Sequence, residues 1–381
     1  MRIALIGTRG VPARYGGFET AIEEIGSRLA DKGHEVTVFC RTPEDVGRLD
    51  SYKGMSLVHL PALPRRSLET LSHTALSVID RHLRGIDCAV VFNAANAPLL
   101  PVIRARRIPV ATHVDGLEWR RGKWSGTGQQ YYRIAEALSV RWSDALIADA
   151  QGIADYYHEE FHAPTRLIAY GAPILHDLGT DKLEPLGLQP QRFHLVVARF
   201  EPENHVLEIV KGYVASRAAH PLVVVGSAPY SDEYTARIRE AADERVQLLG
   251  GLWDQDQLDQ LYAHSLTYLH GHSVGGTNPS LLRAGGAGAF TVAWDVDFNK
   301  EVVRDTGEYF STPAQLAAIL EQVESEPERT LQRGRQLQAS MDRYDWDAVA
   351  DDYEALCRDL TSRQYPKHRP NGKRHPSRWS I

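Results

Sequence analysis

Cysteine is scarce in this chain: three among 381 residues, Cys40, Cys88 and Cys357, odd in number and far apart along the sequence. That excludes a disulfide framework and gives no thiol spacing suited to zinc. The three read as small packed residues in a reducing cytoplasm. Long apolar runs are missing too, since none approaches the roughly 20 residues that a membrane-spanning helix needs. The opening Met1-Arg-Ile-Ala-Leu-Ile6 is too short for a signal peptide before it meets a glycine turn. Positive charge is not in excess: 43 Lys and Arg against 49 Asp and Glu leave a formal charge of −6. A nucleic-acid binder working through a global positive field is therefore excluded. Asp-X-Asp clusters suited to Mg²⁺ or Mn²⁺ are absent around the glycine turns described below, so no bound metal is expected.

What is present is an ordinary globular composition, 43% hydrophobic and 24% charged, on a chain long enough for two domains with separate cores. Residues 2–6 read as a buried strand, followed by a glycine turn, a helix over 20–32 with Ile22, Ile25 and Leu29 at helical spacing, and a strand over 35–40. Strands at 56–60, 89–92, 110–113 and 145–148 continue the alternation. The expected product is a mostly parallel, doubly wound sheet, with ligands at the carboxyl ends of the strands, where 7–17, 93–96, 113–119 and Asp149 fall. The segment 171–190, rich in Gly, Pro and Asp, reads as an interdomain link. A second alternating set then runs from a strand at 193–198 to a strand at 290–293, and three helices follow.

The most informative stretch of this second set is His270-Gly-His-Ser-Val-Gly-Gly-Thr-Asn-Pro-Ser-Leu-Leu-Arg-Ala284. Asn278 or Thr277 caps a helix whose first residue is Pro279, and Gly275 and Gly276 let the backbone approach a ligand. A strand, a glycine turn and a helix N-terminus favour an anion; an ordinary strand-to-helix turn is the plainer reading. Two such domains in tandem suggest a ligand gripped between them. His264, His270 and His272 lack a carboxylate partner for a metal. The tail from 363 has several Lys and Arg, repeated Pro and no Asp or Glu, so disorder is expected, with weak contact to anionic headgroups as its functional reading.

The chain resembles the GT-B retaining glycosyltransferases of family 4, and most closely the bacterial subgroup of capsule and O-antigen rhamnosyltransferase-like proteins. The resemblance is carried by Gly7-Thr-Arg-Gly-Val-Pro-Ala-Arg-Tyr-Gly-Gly-Phe-Glu-Thr20, His113-Val-Asp-Gly-Leu-Glu-Trp-Arg-Arg-Gly-Lys-Trp124, Ile168-Ala-Tyr-Gly-Ala172, Ala198-Arg-Phe-Glu-Pro-Glu-Asn204, the stretch from His272 to Leu282, and Phe298-Asn-Lys-Glu-Val302. It implies two Rossmann-like domains facing a cleft: an acceptor domain at 1–175, with a helix at about 345–358 packing back on it, and a donor domain at 190–340. Residues 359–381 form the basic tail.

The implied reaction moves a sugar, L-rhamnose or another deoxysugar or hexose, from a nucleoside-diphosphate donor such as a dTDP- or UDP-sugar. The acceptor is a hydroxyl of a glycan, a lipid-linked or a small molecule; configuration is retained and no cofactor is needed. The implied setting is cytoplasmic, peripheral to the inner membrane face if the tail contacts lipid. The resemblance assigns the donor to Gly16, Gly17, Arg199, Asn204, His272, Gly275, Gly276, Thr277, Asn278, Ser280 and Arg283. Asp115, and after it His113, are the catalytic candidates. Trp119 and Trp124 stack on sugar or pack in the core.

The sequence departs from the family at several of these positions. Asn204, usual for the subgroup, stands where many members of the wider family have a lysine, so a second charge must come from elsewhere, with Arg9 and Arg14 as candidates. Gly275 and Arg283 stand where most members have two glutamates, the first facing the transferred sugar and the second gripping the ribose; the glycine is expected for the subgroup, the arginine is not. A guanidinium accepts no hydrogen bond from a ribose diol. Arg283 therefore holds the nucleotide differently, pairs with a phosphate or an acidic neighbour, or marks a catalytically silent protein that binds a nucleotide sugar or partners another transferase. The glycines at 285, 286 and 288 are expected to weaken the helix.

Overall fold

The computed structural model describes residues 1–381 except 14–16, 43–47, 64–67, 115, 123, 125, 228–231, 366–369, 378 and 380–381. The chain divides into two compact units. One comprises Met1–Arg120, Trp124–Tyr170 and Trp346–Ile381, the other Arg121–Lys123 and Gly171–Asp345.

The strands of the first unit are β1 (Arg2–Ile6), β2 (Glu35–Arg41), β3 (Ser51–Tyr52), β4 (Met55–Leu60), β5 (Cys88–Phe92), β6 (Val110–His113), β7 (Ala145–Ala148) and β8 (Arg166–Leu167). They form one sheet in the order β3-β4-β2-β1-β5-β6-β7-β8, parallel except for the short β3–β4 pair. Helices α1 (Gly17–Asp31), α2 (Glu69–Ile79), α3 (Leu100–Ala105), α4 (Thr127–Trp142) and α5 (Gln151–Phe161) make the connections. Central strands of such a sheet are covered on both faces, so they read as apolar runs, and β5 is buried at every position. In α1, Ile22, Ile25 and Leu29 are fully buried, as their spacing requires. After β1 the chain passes so close to β5 that a Cβ on Gly7 would lie 2.3 Å from the Phe92 carbonyl oxygen. Only glycine fits there.

The second unit carries β9 (His194–Val197), β10 (Leu222–Val225), β11 (Val246–Gly250), β12 (Thr267–His270), β13 (Phe290–Trp294) and β14 (Glu308–Phe310). They form a parallel sheet in the order β11-β10-β9-β12-β13-β14. Its helices are α6 (Val206–Ala215), α7 (Asp232–Ala241), α8 (Gln255–His264), α9 (Pro279–Gly286), α10 (Asp297–Val303), α11 (Pro313–Ser325) and α12 (Pro327–Ala339). Val196, Ile209, Val210, Leu222, Val224, Phe290 and Val292 centre the core.

The stretch 171–190 is no free link. It belongs to the second unit: Leu183 is 1% exposed, the Leu175 amide donates to the Gly286 carbonyl at 2.9 Å, and Lys182 pairs with Asp254 at 3.0 Å. The glycine-rich end of α9 is a packing device rather than a weakness. A Cβ on Gly286 would fall 1.9 Å from the Pro173 carbonyl oxygen, and one on Gly285 2.7 Å from the Met341 sulfur. The helix can lie this close to the 171–175 strap only because Gly286 has no side chain.

The last helix, α13 (Trp346–Thr361), belongs to the first unit and packs on α1. Arg28 pairs with Asp347 at 2.6 Å, Lys32 with Asp351, and His34 with Glu354 at 3.1 Å. Cys357 on α13 meets Cys88 of β5, and their neighbouring thiols and burial push the Cys88 pKa up.

The tail beyond it is not the unstructured segment its composition suggests. Arg374 reaches between α4 and α5, pairing with Glu136 at 2.6 Å and Glu160 at 2.8 Å and donating to the Tyr156 hydroxyl and the Arg133 carbonyl. The His375 amide donates to the Glu160 carbonyl at 2.7 Å, and Ser377 to the Glu160 carboxylate at 2.5 Å. The Glu136 and Glu160 side chains are 2% and 3% exposed. Two buried carboxylates thus fix this end of the chain, and Arg374 is engaged there rather than offered to a surface. Among the described residues no helix is long and apolar enough to cross a membrane.

Candidate functional site

In the second unit the carboxyl ends of β9 and β12 bring two loops together. One runs from Arg199 to His205, ahead of α6; the other is the glycine turn between β12 and α9. The Ser273 amide and hydroxyl both donate to the Glu203 carbonyl, at 2.9 and 3.1 Å. His205 stacks on Trp294 with ring centroids 3.5 Å apart, and its Nδ1 lies 2.8 Å from the Gly271 carbonyl oxygen. A Cβ on Gly271 would fall 2.1 Å from the Asn204 carbonyl oxygen. On the far side, Asn299 of α10 donates to the His272 carbonyl at 2.9 Å. The turn is held from both sides.

At the start of α9 the Asn278 Oδ1 accepts from the Ser280 amide at 2.9 Å and from the Ser280 hydroxyl at 2.7 Å. The Tyr268 hydroxyl joins this cap, 2.9 Å from Ser280 Oγ and 3.1 Å from His270 Nδ1. Asn278 and Ser280 therefore hold the helix end in shape, and their side chains are engaged with each other. Pro279 has no N–H. The backbone open to an anion is the Gly275-Gly276 turn, whose amides make no hydrogen bond among the described residues. Gly275 sits at φ +131°, a conformation reserved for glycine.

The charges gathered here are two arginines, Arg199 and Arg121, and the buried carboxylate of Glu203. Arg199 is exposed and makes no ion pair among the described residues. His272 keeps partial exposure, but its Nδ1 is buried. Its pKa is held well below the usual histidine value by burial and then by the fields of His270, Arg199, Arg121 and His205. His270, fully buried, stacks on it at 4.4 Å and is lowered to about 3 by burial. Both rings are neutral near pH 7, so the cationic character of the site comes from the arginines.

Several expected residues have other tasks. Asn204 is 1% exposed and donates to the Arg199 carbonyl at 2.8 Å, shaping the arginine's loop instead of facing a ligand. Arg283 does not turn toward the cap: its guanidinium pairs with Asp259 of α8. This is the acidic-neighbour alternative among those left open. Arg9 pairs with Glu69 at 3.4 Å in the first unit. Among the described His, Cys, Asp and Glu residues no group of three could hold a metal.

In the first unit, His113 at the end of β6 lies between Phe92 and Tyr170, ring centroids 5.4 and 5.7 Å away, with the Phe18 edge at 5.2 Å. It is fully buried, and burial alone lowers its pKa to about 3. As it stands it is a neutral packed ring rather than a presented base. Gly17 opens α1, whereas Arg14, Gly16 and Asp115 lie outside the described residues. Trp119 is 4% exposed, flanked by Arg120 and Arg133. Trp124 packs on Tyr132 at 4.9 Å.

Sequence reasoning passed over Arg121 and Glu203. Both lie inside quoted motifs, but nothing in their spacing says that they meet, and only the folded loops show it.

Two doubly wound α/β units, the second with a glycine turn, a helix N-terminus and an exposed arginine at its strand ends, have the architecture of the GT-B fold. Family models agree: "Glycosyl transferase 4-like domain" matches residues 16–171 and "Glycosyl transferases group 1" residues 182–338. The chain belongs to the GT-B glycosyltransferases. No curated protein matches it in sequence. Among solved structures it is similar to sucrose-phosphate synthase from Thermosynechococcus elongatus, at 19% identity and TM-score 0.79, covering 95% of this chain and 99% of that one. It is also similar to HepE from Anabaena in complex with UDP, at 17% identity and TM-score 0.75 over 94% and 100% of the two chains. A glycosyltransferase from Rickettsia africae gives 12% identity and TM-score 0.68 over 94% and 98%. At these identities the likeness is one of fold.

Proposed function

We propose that this glycosyltransferase is a retaining, metal-independent enzyme. Its donor is a UDP- or dTDP-linked sugar, L-rhamnose or another deoxysugar or hexose, and its acceptor a hydroxyl of a glycan, a lipid-linked or a small molecule. The observation that carries the reading is the mouth of α9, where Arg199 stands without an ion-pair partner among the described residues beside a glycine turn with open amides. Leaving-group charge is most effectively stabilised by donors fixed in advance, and both loops here are locked. HepE in complex with UDP supports a uridine diphosphate as the first ligand to try. With His113 packed and its basicity lowered, Asp115 remains the proposed group for the acceptor proton.

Arg199→Ala is expected to weaken UDP or dTDP binding by about 1.5–3 kcal/mol, the range of a hydrogen bond to a charged group. Isothermal calorimetry measures it, and unchanged affinity in a folded variant removes Arg199 from the site. Transfer is expected to persist in excess EDTA, because arginines and helix amides take the role of a cation. Activity lost on chelation and restored by Mg²⁺ or Mn²⁺ would overturn metal independence while leaving the fold untouched.

A further inference from the structure

The family's usual lysine is missing at position 204, and its replacement, Asn204, is turned into the loop. One charge on the donor diphosphate is then left to another residue. In the second unit that residue is already in place. Arg121 comes from the short stretch 121–123 that clusters with this unit, and its side chain is 18% exposed. A Cβ added to Gly275 would meet Arg121 Nη2 at 3.7 Å and nothing nearer. The guanidinium therefore occupies the space into which a side chain at 275 would grow. Its Nη1 is 3.9 Å from Glu203 Oε1. Glu203 is 6% exposed, and among the described residues neither of its carboxylate oxygens has a hydrogen-bond partner. The carboxylate is anchored in turn, since its own carbonyl accepts from Ser273 of the glycine turn. The fields of Arg199 and Arg121 both add to the lowering of the His272 pKa that burial begins.

We propose that Arg121 is the second cation for the donor diphosphate, taking the space freed by glycine at 275 and held there by the buried carboxylate of Glu203. The proposal rests on the donor reading above. Chemically it exchanges one arrangement for another: where a glutamate at 275 would face the sugar, this chain keeps the position empty so that a guanidinium can reach an anion. An arginine fork suits two oxygens of a diphosphate better than a lysine's point charge does. Glu203 is a positioning residue here, and Arg121 is the one that touches the ligand.

Calorimetry on the full chain tests this with uridine, UDP and UDP-glucuronate. Arg121→Gln is expected to weaken UDP binding at least about tenfold, to leave uridine binding unchanged and to flatten the salt dependence of UDP binding. Arg121→Lys should recover part of the loss, which a role in packing alone would not produce. UDP affinity equal to wild type in a folded Arg121→Gln variant overturns the proposal. So does a loss confined to UDP-glucuronate, which would put the guanidinium on a carboxylate of the sugar. Should Arg121→Gln fail to fold, the lysine variant carries the test, and UDP affinity identical to wild type overturns the proposal. Wild-type protein that binds neither UDP, dTDP, GDP nor ADP overturns the donor reading itself. Binding of one of them that Arg121→Gln leaves untouched overturns only the assignment of Arg121.

Discussion

Arg374→Ala is expected to destabilise the first unit by about 3–5 kcal/mol, the range for removing one partner of a buried ion pair. The side chain is 21% exposed, but the carboxylates it leaves behind are almost wholly enclosed. Hydrogen exchange in α4 and α5 measures the loss locally, which matters in a chain of two units where a single melting temperature mixes both. Lys373→Ala, next door and exposed, should change stability by no more than about 0.5 kcal/mol. The defect also carries a pH signature. Burial raises the Glu136 pKa, and Arg374 works against that rise; without the arginine the carboxyl holds its proton to still higher pH when folded. A carboxyl raised on folding gives up stability as pH climbs through the ordinary glutamate range toward its folded value. The Arg374→Ala deficit should therefore shrink at low pH and reach its full size at neutral pH. A deficit independent of pH would place its origin in packing rather than charge.

The second large effect is expected at α9. Arg283→Glu puts a carboxylate against Asp259, whose side chain is 15% exposed. The second unit should lose about 1–3 kcal/mol, the cost of leaving a buried polar group unsatisfied. Asp259→Arg alone should do similar damage. The reciprocal pair Arg283→Glu with Asp259→Arg restores the contact with its charges exchanged and should recover most of the loss, since contacting residues are coupled. That pair is also the cleaner functional probe, because it carries a glutamate at 283 without unfolding the helix around it. In an active transferase the exchanged pair binds UDP and turns over no better than wild type. Improved turnover would mark the arginine as a loss and favour the silent-protein reading.

Much of the architecture was legible in the sequence because period and burial act locally. Strands β6 and β7 fall on the residues read as strands, 110–113 and 145–148, and the Asn278-Pro279 cap forms as read. The site was legible only in part. Arg199 and the Gly275-Gly276 turn are contiguous with the elements that place them. Asn204 and the glycines of α9 were misjudged, and the choice among the alternatives for Arg283 could not be made, because their partners, Arg199's carbonyl, Pro173 and Asp259, are set by tertiary packing. The tail fails for a related reason. Composition reports how a segment behaves alone, whereas Arg374 is ordered by carboxylates contributed from more than 200 residues earlier in the chain.

That reach across the chain bears on the order of synthesis. A ribosome making this protein emits β1 to β8 first, then the whole of the second unit, and only afterwards α13 and Arg374. The second unit is contiguous apart from residues 121–123 and can close while the first still lacks the helix that covers α1. Until the last segment emerges, Glu136 and Glu160 lack the guanidinium of Arg374. At about 5–20 residues per second, residues 171–374 take roughly 10–40 seconds to appear. For that interval the half made first is the half left unfinished, exposing the surface of α1 that α13 will later cover.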